Sequence, residues 1–153
     1  MKLRRAVLVA LTLSIAVAPL TAASTPSIAG GIFGIELCPQ SICHQAIFVG
    51  NFAGAINNRP TDGVFFAGIT HEALPTTVGA TVAITGGTWL IRTRTRLIAG
   101  TIEDGGTLTL NPGGTTYTAV ITMDVLIGGS GTLTFTGLLD HGQFPPTIGG
   151  TIF

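Results

Sequence analysis

The sequence predicts one all-β domain, either an antiparallel β-sandwich or a small β-barrel of about eight or nine strands. Glycine and threonine, with 22 residues each, make up a third of residues 24–153, so strand formers alternate with turn formers. The same range holds three glutamates and no lysine, and strong helix formers are therefore scarce. No stretch keeps an apolar period of 3.6 residues, and the short connections between apolar runs favour antiparallel pairing.

The first 23 residues have the pattern of a secretory signal peptide. Basic residues at positions 2, 4 and 5 precede an uncharged apolar run, 6–18, and the small residues after it suit cleavage after Ala23. The run is shorter than the roughly 20 residues that span a bilayer as a helix, and an uncleaved anchor is the alternative. We expect a secreted protein, extracellular or periplasmic, with residues 1–23 removed and no membrane span in the mature chain.

Turn-forming segments divide the rest of the chain into strands. Residues 24–43 form a lead-in or a first edge strand, and residues 44–153 form the all-β domain. Gly, Pro, Asn and Asp cluster at four places, which predicts turns at 57–63, 86–87, 104–106 and 111–114. The expected strands are 45–56, 64–70, 79–85, 88–98, 100–103, 107–110, 116–127, 132–139 and 148–153. Residues 100–103 and 107–110 are expected to pair as a hairpin around the turn at 104–106.

Two segments alternate strictly between threonine and large apolar residues. Residues 107–110 and 132–136 place Leu or Phe on one face and Thr on the other, which is typical of a sheet with one buried and one solvated face. A sandwich and a closed barrel both have such sheets, so the sequence leaves the choice between them open.

A segment that begins at His71 matches a second segment that begins at His141. Histidine, proline, threonine and glycine coincide between 71–82 and 141–152, and several apolar residues match in kind. An internal repeat of this kind predicts two similar halves with equivalent His–Pro corners, whose backbones should superpose.

The two cysteines, Cys38 and Cys43, both lie in the part of the chain expected to be exported. In an oxidising compartment an even pair forms a disulfide by default. The bond would close a small loop worth roughly 2 kcal/mol. We therefore expect a local clip on the N-terminal lead-in, since a redox or metal pair is more usually spaced CxxC.

The three histidines, His44, His71 and His141, lie at or beside the ends of predicted strands. With a neighbouring carboxylate such as Glu72 or Asp140 they could complete a zinc site. Their spacing, however, matches no compact ligand motif. We interpret His71 and His141 as braces of their proline loops, keep all three histidines as weak metal candidates, and expect no cofactor.

Catalytic chemistry has little support in the residue pattern. None of the four serines in residues 24–153 lies in a G-x-S-x-G elbow, and Ser130 belongs to a Gly-rich turn. The acidic residues lie mostly in predicted turns, and no pair of them stands out as hydrolytic. The sequence therefore favours a protein that is not an enzyme.

The arginines form the most unusual pattern in the chain. Arg92, Arg94 and Arg96 alternate with threonines, so on one strand their side chains would share a face. Such a row could bind carboxylate or sulfate groups, or it could be a solvated edge that blocks aggregation. We expect the row to face outward and to lie close enough to pair with one of Glu103, Asp104 or Asp124.

Charge and composition narrow the function classes. Residues 24–153 hold four arginines and seven acids, a net charge of −3, which excludes the basic footprint of a nucleic-acid binder. The Gly/Thr-punctuated strands of 80–140 resemble those of small exported β-barrels of the allene-oxide-cyclase-like and dirigent groups, a resemblance that carries no site residue. We expect a non-enzymatic, exported binding, surface or matrix module whose partner is an anionic glycan or a small ligand. The alternatives are a barrel with an interior ligand pocket and isomerase-like activity, and an outer-membrane barrel.

Overall fold

The computed structural model describes residues 26–37 and 44–153, which form nine β-strands and no helix. The all-β prediction is confirmed, and no helix of these residues is long and apolar enough to cross a membrane. The predicted signal peptide and the predicted disulfide between Cys38 and Cys43 lie outside the described residues. The strands are β1 (Ile28–Leu37), β2 (Gln45–Ile56), β3 (Arg59–His71), β4 (Thr81–Thr93), β5 (Leu97–Ile102), β6 (Gly106–Leu110), β7 (Thr116–Ile127), β8 (Gly131–Asp140) and β9 (Thr147–Ile152).

The strands close into an antiparallel barrel with eight strand positions. Strands that follow one another along the chain lie side by side, and β1 completes the ring by pairing with both β2 and β9. β5 and β6 occupy a single position in tandem, because β5 pairs with residues 87–92 of β4 and β6 pairs with residues 81–84. Both short strands also pair with β7. Of the two architectures that the sequence leaves open, the protein adopts the barrel.

Three details of the predicted strand layout are wrong. β5 and β6 run in the same direction between the same two neighbours, so they do not form the expected hairpin. β1 lies within the segment 24–43 expected to be a lead-in or a first edge strand; it is a strand, but it has a neighbour on each side and is therefore not an edge. The bounds of the expected strands 79–85 and 88–98 are wrong, because β4 continues through the expected turn at 86–87 and ends at Thr93, and a turn at residues 94–96 separates it from β5.

The match between the segments at His71 and His141 does not extend to strand pairing. Asp140 pairs with Thr147 across a short loop, whereas His71 pairs with Ile84 across a longer one. Residues 77–80, which match the first residues of β9 in sequence, belong to that longer loop. The two loops therefore differ in length, and the equivalence of the two corners, which superposition of their backbones would measure, stays a prediction.

Apolar side chains fill the inside of the barrel. Along β8, Leu133 and Phe135 are buried while the threonines between them point outward, which confirms the alternation predicted from the sequence. Trp89 of β4 is almost fully buried, and its indole Nε1 donates a hydrogen bond to the carbonyl oxygen of Asp124 at 3.1 Å. An eight-stranded barrel has an interior just wide enough to be filled by side chains in this way.

Glycines on the inner face make room for the aromatic rings. Gly137 of β8 lies directly opposite Gly150 of β9. A Cβ atom on Gly150 would lie 2.7 Å from Cε2 of Phe135, and a Cβ atom on Gly30 would lie 2.8 Å from Cε2 of Phe52. The two rings therefore occupy volume that side chains at these glycines would need.

The two ends of the barrel carry different polar groups. β1, β3, β6 and β8 finish at one end, and β2, β4 and β7 finish at the other. The first end, called the histidine end below, holds Glu36 together with His44, His71 and His141. The opposite end, called the arginine end, holds every arginine of the described residues, namely Arg59, Arg92, Arg94 and Arg96.

Replacing Gly150 by alanine should destabilise the barrel, because the new Cβ would meet the Thr136 carbonyl oxygen at 2.5 Å as well as the Phe135 ring. We expect Gly150→Ala to lower the free energy of unfolding by about 1–3 kcal/mol. The neighbouring Gly149→Ala is the control, since its Cβ would lie no closer than 3.3 Å to any neighbour: the exposed Phe33 side chain lies at that distance and the Ile32 carbonyl oxygen at 4.0 Å. Equal stability of the two variants in urea denaturation would contradict the proposed filling of the interior.

Candidate functional site

The arginine end gathers positive charge from two neighbouring turns. Arg59 begins β3, Arg92 lies one residue before the end of β4, and Arg94 and Arg96 lie in the turn between β4 and β5. All four side chains are exposed. β3 and β4 are paired neighbours, so the start of one strand and the end of the other meet at this end of the barrel.

The hydroxyl group of Thr93 builds the turn that carries Arg94 and Arg96. Thr93 Oγ1 accepts hydrogen bonds from the backbone N–H groups of Thr95 and Arg96, at 3.3 and 3.0 Å, and donates to the carbonyl oxygen of Arg96. Such local bonds compete with strand pairing. The single-strand row expected for Arg92, Arg94 and Arg96 is therefore wrong, because only Arg92 lies on a strand.

A groove of about 240 Å³ lies between the two turns of the arginine end. Arg59 from one turn and Arg96 from the other line it, together with the hydroxyl-bearing residues Thr61, Thr93 and Thr95. Thr61 is itself fixed, since its Oγ1 donates to the carbonyl oxygen of Arg59 at 2.9 Å. Two guanidinium groups with hydroxyls beside them match the donor set of a carboxylate, sulfate or phosphate site.

The expected acid partners of the arginines have other partners. Asp124 accepts a hydrogen bond from Thr132 Oγ1 at 2.9 Å, and Glu103 accepts one from Thr101 Oγ1 at 3.2 Å. Asp104 lies in the turn between β5 and β6. Within residues 26–37 and 44–153 the only ion pair joins Glu36 to His141. The prediction that an acid pairs with the arginine row is therefore wrong, since no arginine of the described residues forms an ion pair with a carboxylate.

The ion pair of Glu36 and His141 dominates the histidine end. Nε2 of His141 donates to Oε2 of Glu36 at 2.8 Å, and only 2% of the Glu36 side chain is exposed. The Tyr117 ring packs edge-on against the His141 ring, with 5.2 Å between the ring centroids. Burial raises the pKa of Tyr117 above its ordinary value, and the nearby negative charge of Glu36 raises it further.

His71 lies on the other side of the same barrel end. It is 5% exposed, and its Nδ1 donates to the carbonyl oxygen of Glu72, which directs Nε2 away from that loop. His71 and Glu36 are the polar residues that line a cavity of about 10 Å³ closed mainly by apolar side chains. The cavity has room for about one water molecule.

The histidines do not form a metal centre in the described part of the chain. No three His, Cys, Asp or Glu side chains there lie close enough together to hold a metal ion. His44 is exposed, and its carbonyl oxygen accepts a hydrogen bond from the His71 backbone N–H. His71 and His141 instead bond to the Glu72 carbonyl and the Glu36 carboxylate.

Three residues of these sites escaped the sequence analysis. Arg59 was not grouped with the other arginines, because the pairing of β3 with β4 brings them together. Glu36 and Tyr117 reach His141 from β1 and β7. A signal was present for Glu36, since it follows the buried Ile28 and Ile32 at even spacing and so belongs to the inward face of β1.

In comparisons with known proteins, no protein-family model matches the sequence, no curated protein matches it, and no solved structure matches the fold. The assignment of function therefore depends on the geometry of the two barrel ends.

Titration of Tyr117, the only tyrosine of the chain, tests the described histidine end. We expect its absorbance at 295 nm to report a pKa above 10.0 in the folded protein. In Glu36→Gln the pKa should fall, yet stay above the value in urea, because burial remains. A pKa that is unchanged by Glu36→Gln would contradict the placement of this carboxylate beside the phenol.

The same shift predicts how stability depends on pH. Above about pH 10 the unfolded chain loses the phenolic proton while the folded protein keeps it, so the free energy of unfolding falls as pH rises. Tyr117→Phe should show a weaker fall between about pH 10 and 12 when both proteins are unfolded with urea. Parallel curves for the two proteins would speak against the raised pKa.

Proposed function

We propose that the protein is an exported, non-enzymatic β-barrel binding module that binds anionic groups at its arginine end. The observation that carries this proposal is the placement of four exposed arginines at one end of the barrel, two of which line one groove, with none paired with a carboxylate among the described residues. A cluster of like charges that lacks internal partners is costly for the compact protein. An anionic ligand would remove that cost, and the groove between Arg59 and Arg96 offers it a place.

The chemistry of the groove favours an oxyanion. A guanidinium group presents paired N–H donors that match two oxygens of a carboxylate, sulfate or phosphate. The Thr95 hydroxyl lines the same groove and can add a neutral donor, whereas the Thr61 hydroxyl already donates its proton to the carbonyl oxygen of Arg59. An acidic glycan, which repeats such groups along a polymer, and a small anionic ligand both have this chemistry.

The two alternative functions receive less support from the interior. A ligand pocket with isomerase-like activity needs space for a substrate, whereas the described cavity at Glu36 and His71 has room for about one water molecule. A transmembrane barrel has a polar interior and an apolar outer band. Here the interior is apolar, filled by residues such as Trp89 and Phe52, and threonines cover much of the outside of β7 and β8.

Retention on a heparin column tests the proposed function. The wild-type protein should bind at low salt and elute at moderate salt, because contacts between exposed charges are screened. Arg59→Gln/Arg96→Gln should weaken binding of sulfate or heparin at least tenfold, a change of about 1.4 kcal/mol. Arg59→Lys/Arg96→Lys keeps the charge but loses the paired donors, and should fall between the two proteins.

A matched control separates the groove from net charge. Thr76→Glu/Thr77→Glu places two negative charges in an exposed loop at the histidine end and changes net charge by the same amount as Arg59→Gln/Arg96→Gln. This control should keep most of the wild-type retention. If it loses retention equally, or if the wild type is not retained at low salt, the arginine end is not an anion-binding site.

A further inference from the structure

Exposed apolar side chains lie directly beside the arginines. Across the outer face of β3, β4 and β5, Val64 lies opposite Arg92, and Arg92 lies opposite Leu97. Val64 and Leu97 are 51% and 45% exposed. The middle member of this row is charged while its two neighbours are large and apolar.

The turn after β7 extends the apolar surface. Leu126 and Ile127 are 65% and 53% exposed, and Ile127 lies opposite Ala99 of β5. The turn rests against the first residue of β5, since a Cβ on Gly128 would lie 2.5 Å from the carbonyl oxygen of Leu97. We call Val64, Leu97, Leu126 and Ile127 the apolar flank of the arginine end.

We propose that the arginine end and its apolar flank dock onto the surface of an anionic lipid bilayer. This inference rests on the proposed function, because the arginines would bind lipid phosphates as oxyanions, and it adds the partner. Arginines that lack carboxylate partners are complementary in charge to a surface of acidic phospholipids. Leu126 and Ile127 at a turn can enter the boundary between headgroups and acyl chains, where apolar side chains leave water.

An acidic glycan explains the arginines but leaves the apolar flank without a role. Glycan chains present hydroxyl, carboxylate and sulfate groups, and burying Leu126 or Ile127 against them removes little apolar surface from water. A bilayer interface satisfies both features at once, since anionic headgroups lie directly above hydrocarbon. The docking proposed here is peripheral, with the arginines at the headgroups and the apolar flank at their boundary with the acyl chains.

Co-sedimentation with lipid vesicles tests the inference. The wild-type protein should bind vesicles of phosphatidylcholine with about 30% phosphatidylglycerol and should not bind pure phosphatidylcholine. Leu126→Ser/Ile127→Ser should lower the vesicle partition coefficient at least about tenfold and leave heparin retention unchanged. Arg59→Gln/Arg96→Gln should lower both. Phe144→Ser is the matched control, because Phe144 is 99% exposed but lies in the loop at the histidine end, and it should bind like the wild type.

The outcomes separate the inference from the proposed function. If the protein is retained on heparin but does not bind vesicles, the membrane inference is overturned and the anion site remains. The same conclusion follows if Leu126→Ser/Ile127→Ser does not weaken vesicle binding. Absence of both activities overturns both proposals. An equal loss in Phe144→Ser would mean that general surface hydrophobicity drives vesicle binding, which also contradicts the inference. Thermal unfolding of each variant verifies that the barrel is intact.

Discussion

Closure of an eight-position ring limits the volume that inward side chains can fill, and the rest of the molecule follows from that limit. Large rings such as those of Phe52 and Phe135 fit because the neighbouring glycines have no side chain in the space that the rings occupy. Where the inner face is filled in this way, side chains occupy the space that a ligand chamber would need. The polar groups discussed above therefore lie at the two ends of the barrel and on its outer surface.

The two ends use their polar groups in opposite ways. At the histidine end Glu36 is almost fully removed from water, and the His141 imidazole donates a hydrogen bond to its carboxylate; a buried carboxylate without such a partner would be costly. At the arginine end the guanidinium groups remain in water and have no protein partner among the described residues. The first arrangement holds the β1 terminus to the loop after β8, whereas the second is free to interact with molecules from outside.

Local patterns predicted much of the fold, and long-range pairing decided the rest. The alternation of Thr with Leu and Phe identified inward positions of β8 correctly, because a strand periodicity is a local property. The choice of a barrel depended on the pairing of β1 with β9, which no local pattern reports. The prediction of a single-strand arginine row was wrong because of local hydrogen bonds. The Thr93 hydroxyl makes three of them, and they favour a turn over a continued strand. Glu36 and His141 belong to segments far apart in the sequence. The sequence therefore shows that each residue is ionisable, but it does not predict that the two side chains are in contact.

The pairing of β1 with β9 also has a consequence for how the chain folds. The two strands that close the wall lie at opposite extremes of the described residues, so the last contacts of the ring join residues of very large sequence separation. Contacts of this kind raise the contact order and slow folding. Until they form, β1 and β9 each present an unpaired edge that can capture another chain. β1 also carries Phe33, Ile35 and Leu37 with their side chains exposed, so until the ring closes its first strand combines an unpaired backbone with an apolar surface, which favours association with another chain.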